Sequence, residues 1–239
     1  MRVLITRPES DSAALAAELG ARGHQTLLQP LLVIVPTGAA VDLAGVQAIL
    51  ATSANGIRAL AAATAERRVP LYAVGDTSAA TARASGFTDV ASAAGDVAAL
   101  VAVVAAALRP EDGRLLHVAG ADIAGDLQAM LRAKGFTVDR VVLYRAIPAA
   151  ALEPAIGDAL KAARIDAVLF FSPRTARTFA KLASVAGIVP ALGATAAICL
   201  SRAVAAEIEA LRWRTVKIAD RPDRAALIAA LSTLAGEGR

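Results

Sequence analysis

The chain has 239 residues, 56% of them hydrophobic, with a mean hydropathy of +0.56 and a formal net charge of +4. That length holds one large domain or two small ones. The longest apolar run, residues 97–108, falls short of the roughly 18 residues a membrane helix needs and is expected to be a buried helix.

A single cysteine, Cys199, excludes an internal disulfide. His24 and His117 are far apart and neither has ligand-spaced partners, so no metal is expected. The positive charge favours anionic ligands, but Lys and Arg are dispersed and not interleaved with aromatics, which argues against nucleic acid. The opening residues pass from a strand straight into charge without an apolar leader core, so a cytoplasmic protein is expected.

Taken in order, strands are expected at 3–6, 26–35, 48–52, 71–74, 89–91, 115–118, 138–147, 167–171, 196–200 and 216–218. Helical spacing of apolar residues lies between most of them. Residues 12–21 are an example, with Leu15 and Leu19 on the buried stripe and Gly23 as the stop signal. Alternation of this kind is the mark of α/β architecture with parallel sheets.

The chain also repeats. Residues 2–36 match 114–148 at a spacing of 112, the distance from Gly23 to Gly135 and from Pro36 to Pro148. A second set of likenesses runs through the remainder: Thr52-Ser53 to Leu60 with Phe171-Ser172 to Phe179, Val74 to Thr77 with Ile198 to Ser201, and Asp96 to Leu100 with Asp223 to Leu227.

The two copies of the second strand are longer than the usual five or six residues. A long strand can leave one sheet and enter another domain. Two similar flavodoxin-like α/β domains with parallel sheets are therefore expected, joined by a two-stranded β-ladder. Domain one would be discontinuous, residues 1–35 plus 149–239. Domain two, 36–148, would be inserted between linker strands at about 26–36 and 138–148. Pro36 and Pro148 suit the ends of these strands, because proline cannot continue a ladder.

Ligands of parallel α/β sheets bind beyond the carboxyl ends of the strands. Those positions hold Thr6 and Arg7; Thr52, Ser53, Asn55 and Gly56; Gly75, Asp76, Thr77 and Ser78; Gly120 and Asp122; Ser172 and Arg174; and Ser201 and Arg202. Hydroxyls at a helix start are caps first. They also accompany free N–H groups at the positive end of a helix, where carboxylates or phosphates bind. Each residue has a plainer role: a cap for the hydroxyls, a tight turn for Gly75 and Gly120, a solvated charge for the arginines. For Tyr144 the plainer role is a half-buried strand aromatic, and for His117 a satisfied core residue.

No dinucleotide or P-loop fingerprint follows a strand, and there is no nucleophile elbow. No carboxylate pair stands at the loop tips. An enzyme built on this chain would work without a cofactor.

The chain resembles the uroporphyrinogen-III synthase family over nearly its full length. The carrying segments are Val3 to Pro8, Thr52 to Gly56, Ala73 to Ser78, Val141 to Arg145, Phe170 to Arg174 and Ile218 to Asp223. The resemblance implies a cyclising hydro-lyase that closes linear hydroxymethylbilane to uroporphyrinogen III, with loss of water and inversion of ring D through a spiro intermediate. It implies that Tyr144 is the catalytic residue, facing the cleft between the domains and assisting departure of the hydroxyl. Phenols ordinarily titrate near about 10, so a tyrosine is a neutral donor at pH 7.

The same resemblance makes Thr6, Arg7, Ser53, Asn55, Gly75, Thr77, Ser78, Gly120, Ser172, Arg174, Ser201 and Arg202 the substrate-binding set. It implies no metal or cofactor, and a monomer with a transient contact to the preceding pathway enzyme. The chain departs from the family pattern at Ala119, where many members carry arginine, and at Cys199-Leu200-Ser201, where others have Gly-Pro-Thr. Outside the enzyme class, the competing readings are a non-catalytic tetrapyrrole- or anion-binding module of the same fold and a two-domain solute receptor.

Overall fold

The structure, a computed structural model, describes residues 1–122 and 126–236. It divides into two compact units, Met1–Val33 with Ile147–Arg239, and Ile34–Ala146.

The first unit holds β1 (Arg2–Ile5), α1 (Glu9–Ala21), β2 (Gln25–Leu28), α6 (Pro154–Lys161), β9 (Ala167–Phe170), α7 (Pro173–Val185), β10 (Ala196–Cys199), α8 (Arg202–Ala206), β11 (Thr215–Ile218) and α9 (Arg224–Gly236). Its strands form one parallel sheet in the order β11-β10-β9-β1-β2. Alternate residues serve opposite faces of a strand, and here both faces are covered. Leu4, Val168, Phe170 and Ala197 join a core with α6 and α7, where Phe170, Phe179 and Trp213 pack ring against ring. Val3, Ile5, Leu169 and Ile198 face the other way, onto Leu15 and Leu19 of α1 and Leu227 and Leu231 of α9.

The second unit holds β4 (Val46–Ala51), α2 (Ala54–Ala63), β5 (Leu71–Ala73), α3 (Asp76–Ala84), β6 (Val90–Ser92), α4 (Val97–Ala107), β7 (Arg114–Gly120) and α5 (Leu127–Arg132). The strand β8 (Val138–Pro148) lies beside β7, and β3 (Leu32–Pro36) edges β8, so the sheet order is β3-β8-β7-β4-β5-β6. From β8 to β6 the pairing is parallel throughout. Ile49, Leu71, Leu116 and Leu143 pack with α2 and α3, while Leu50, Leu115 and Val138 pack with α4 and α5.

The internal repeat is visible in these sheets. Reading β1 as β7, β2 as β8, β9 as β4, β10 as β5 and β11 as β6 superimposes one strand order on the other. Even the register is kept: Val3 faces Thr26 and Leu115 faces Val138, each 112 residues further on. Both copies close their first helix alike. Gly23 and Gly135 take φ of +79° and +88°, a left-handed turn suited to glycine. His24 and Phe136 then donate back to the carbonyls of Leu19 and Leu131. Asp96 and Asp223 cap their helices by the same bond, to the N–H of Ala99 and of Ala226.

Three expectations need correction. The strand at 26–35 is two strands, β2 and β3, in different sheets. Pro30 lacks the N–H that a ladder needs at the break, and the Gln29 side chain accepts from the N–H of Glu153 at 2.7 Å. The apolar run 97–108 is not buried all round. Only Leu100, Val101 and Val104 are buried; Val97, Ala105 and Leu108 are half-buried against the same core, and Ala98, Ala102, Ala106 and Ala107 are exposed. The likeness of Val74–Thr77 to Ile198–Ser201 is out by two residues. Ala73 and Cys199 occupy equivalent strand ends, which sets Gly75 against Ser201 as the caps of α3 and α8.

Candidate functional site

Within the second unit, the carboxyl ends of β4, β7 and β8 bring together Ser53, Gly120 and Tyr144. A register shift puts them there. Ala119 faces Val142, but Gly120 faces Tyr144, so Leu143 is an extra residue on β8. Leu143 goes into the core beneath α2 and α3. A bulge of this kind bends its strand and re-aims the next side chain. Tyr144, half-buried, then lies against Gly120, where a Cβ would come within 2.7 Å of the phenol Cζ and 2.9 Å of its oxygen. Only glycine leaves room for the ring.

The phenol oxygen is 3.0 Å from Oγ of Ser53. Ser53 is the N-cap of α2, its Oγ accepting the N–H of Gly56 at 3.1 Å. That backbone bond uses a serine lone pair, not its proton. The two hydroxyls have two protons and share one contact between them. One proton is therefore left over to point outward, on the phenol if serine donates to it and on serine if the phenol donates. The pair can act as a single hydrogen-bond and proton donor.

Behind it lies a polar layer that sequence reasoning misses. His117 on β7 is 3% exposed, and its Nε2 is 3.4 Å from the hydroxyl of Thr52. Its Nδ1 has no partner among the described residues, so it is buried as expected but satisfied on one nitrogen only. Burial first, and then the charge of Arg140, lower its pKa to about 4, which keeps the ring neutral at pH 7. Arg140, its neighbour across the ladder, donates to the carbonyls of Gly120 at 2.6 Å and Ala121 at 3.1 Å.

The other expected residues of this unit are spread along the strand ends. Asn55, in the first turn of α2, accepts from Arg58 at 2.7 Å. Gly75 begins α3 with no side-chain cap, and Thr77 is exposed in its first turn. Ser78 is 7% exposed and on the buried stripe with Ala79 and Ala82.

In the first unit, Thr6 directly follows β1. It is fully buried, and its hydroxyl donates to the carbonyl of Leu169 at 2.6 Å, tying β1 to β9. Arg7 next to it pairs with Asp11 at 3.0 Å and lies over the ring of Phe171, 4.6 Å from its centre. Ser172 caps α7 through the N–H of Thr175, and Arg174 follows, half-buried, in the first turn. Ser201 and Arg202 line a pocket of about 410 Å³ at the ends of β10 and β11, walled by Leu200, Ile218, Ala219, Asp220 and Pro222. Cys199, just below, is fully buried, and burial pushes its thiol up to about 12, so it is no nucleophile.

Residues 13–229 match the family described as uroporphyrinogen-III synthase HemD. The chain belongs to the uroporphyrinogen-III synthase family. With that membership goes the activity of a cyclising lyase of haem biosynthesis. Two solved synthases share the fold. The uroporphyrinogen-III synthetase of Helicobacter pylori 26695 matches at a TM-score of 0.67 and 18% identity, covering 98% of this chain and 100% of its own. A mutant uroporphyrinogen III synthase of the extremely thermophilic bacterium Thermus thermophilus matches at 0.52 and 18%, covering 99% of each. No curated protein matches the chain closely enough in sequence to count as a relative. Among the described residues, no helix of this synthase-family chain is long and apolar enough to cross a membrane, and no group of side chains could hold a metal ion.

Proposed function

We propose that the substrate is hydroxymethylbilane and that Tyr144 supplies the proton with which its hydroxyl leaves. The observation that carries this is the Tyr144–Ser53 pair, joined at 3.0 Å with one proton to spare. As the carbon–oxygen bond of the hydroxymethyl group breaks, the phenol proton passes to the departing oxygen and water is released. The azafulvene left behind is attacked by ring D at its substituted carbon, giving the spiro intermediate. Breakage and re-closure invert that ring, and the proton lost as the last pyrrole regains aromaticity restores the phenol. The balance is one bilane in, one macrocycle and one water out.

The linear substrate closes readily by itself to the uninverted isomer. The protein's chief work is therefore orientation, which suits a site with few reactive side chains. Its eight carboxylates match helix starts and cations. The α2 start at Ser53 and Asn55, the α3 start at Gly75 and Thr77, Gly120, the α7 start at Ser172 and Arg174, Arg7, and the Ser201–Arg202 pocket are the contacts we assign to them. Thr6 and Ser78 support that surface from below. The reading carries with it two α/β domains, residues 1–35 with 149–239 and 36–148, linked by β3 and β8, in a cytoplasmic monomer without cofactor.

The test adds hydroxymethylbilane to the protein and to Tyr144→Phe and separates isomers I and III by chromatography. Isomer III from the protein, and a loss of about a hundredfold or more in its rate from the variant, is the expected result. Isomer I alone from the unaltered protein would sink the substrate assignment. Full turnover by the variant would remove Tyr144 from the mechanism.

A further inference from the structure

We infer that Arg140 is a positioning residue for Tyr144, holding the phenol over Gly120 through the backbone carbonyls at the end of β7. This rests on the reading of Tyr144 as the proton donor.

Where a strand ends, its last carbonyls must find donors outside the ladder. The carbonyls concerned belong to Gly120, the last residue of β7, and Ala121 after it. One Nη of Arg140 meets both, at 2.6 and 3.1 Å. These are charge-assisted bonds, shorter and stronger than those of a neutral donor. The segment they hold is the floor on which the phenol rests, since Gly120 underlies the ring and the N–H of Ala121 donates to the carbonyl of Tyr144 at 2.9 Å. Arg140 is thus bonded to both residues that fix Tyr144 from β7, while being four residues upstream of it on β8.

A second observation separates this role from a surface charge. The Nε of Arg140 is buried and without a partner among the described residues, as is Nδ1 of the facing His117. A buried donor left unbonded costs stability. An arginine kept merely for solubility would not hold its guanidinium inward at that cost. The orientation is explained by the two carbonyls.

The test joins kinetics to a direct view of the ring. The chain has two tyrosines, Tyr72 and Tyr144, so 3-fluorotyrosine labelling gives two fluorine signals, assigned with Tyr144→Phe. In Arg140→Met the Tyr144 signal is expected to move or broaden and that of Tyr72 to stay. The rate of isomer III formation should fall about tenfold to a hundredfold, chiefly in kcat with KM little changed. In the Tyr144→Phe background the same substitution should have almost no further effect. Arg140→Lys, which keeps the charge and one reach of donors, should recover part of the rate and is the fallback if the methionine variant does not fold.

An unmoved Tyr144 signal, or equal rate losses in both backgrounds, would overturn the inference. So would a rise in KM alone, which would make Arg140 a substrate contact. If Tyr144→Phe itself kept full turnover, the proton-donor reading would fall, while the fluorine signals would still decide whether Arg140 holds the ring.

Discussion

A methyl group at position 120 would stand 2.7 Å from Cζ of Tyr144, closer than any relaxed contact. Gly120→Ala is therefore expected to push the ring off its floor. Overpacking of this kind costs about 1–3 kcal/mol, so the variant should fold with a lowered melting temperature. Its rate of isomer III formation should drop by about a hundredfold, since a displacement near 1 Å is enough for that; both are read from a melt and the isomer assay. Ser53→Ala removes two things at once, the cap of α2 and the partner of the phenol. About 1 kcal/mol of stability should be lost through the cap. Ser53→Thr keeps a hydroxyl and should restore most of the stability, which a denaturant titration of the three proteins would check. Ser53 and Gly120 are legible in the sequence as strand-end residues, and Tyr144 through the family resemblance. Thr6 and Ser78 look the same in sequence, yet both are buried. Position along a strand end says nothing of which way a side chain points, and both turn into the core. Arg140 carries no signal because its role depends on one extra residue, Leu143, that periodicity does not reveal.

At the scale of elements, β7 and β8 carry an acid-sensitive joint. His117 is neutral in the folded chain, with a pKa of about 4, against 6.5 for a free imidazole. Below 6.5 the unfolded chain takes up a proton that the folded chain refuses. Stability is thus complete above that pH, declines as pH falls, and levels off below about 4. The full loss from this group is on the order of 3 kcal/mol. Melting temperatures measured from pH 7.5 to 4.5 should fall, and in His117→Gln they should fall less. A slope unchanged in the variant would place the acid sensitivity elsewhere. Most strands and their order of chemistry are readable from alternation and apolar runs, as is the repeat, whose register the two sheets keep. The break at Pro30 is readable in principle, since proline cannot serve a ladder, but the repeat with unbroken β8 argues for one strand. A fold copied twice need not be copied in its joints.

Across the molecule, each unit closes its own pair of cores, one on either face of its sheet. Cys199 reports on the first unit alone, being fully buried beside Phe170 and Phe179. Thiol reagents should label it only through opening of that unit. Phe179→Ala, at a cost of about 3–5 kcal/mol, should speed labelling by a large factor. Leu50→Ala, in a core of the second unit, should leave the labelling rate nearly unchanged if the units open separately. Equal acceleration by both would show a single cooperative unfolding.

The strand order of the first unit bears on how the chain is made. β1 lies inside its sheet, between β2 and β9, yet β9 begins only at Ala167. On a ribosome, at about 5–20 residues per second, β1 waits on the order of ten seconds for that neighbour. During this time Val3, Leu4 and Ile5 have one open edge, while every residue of Ile34–Ala146 has already emerged. The inserted unit can finish folding while the opening strand of the chain is still a sticky half-sheet. Nascent chains stalled before Ala167 should therefore call on chaperones far more than those stalled after α9.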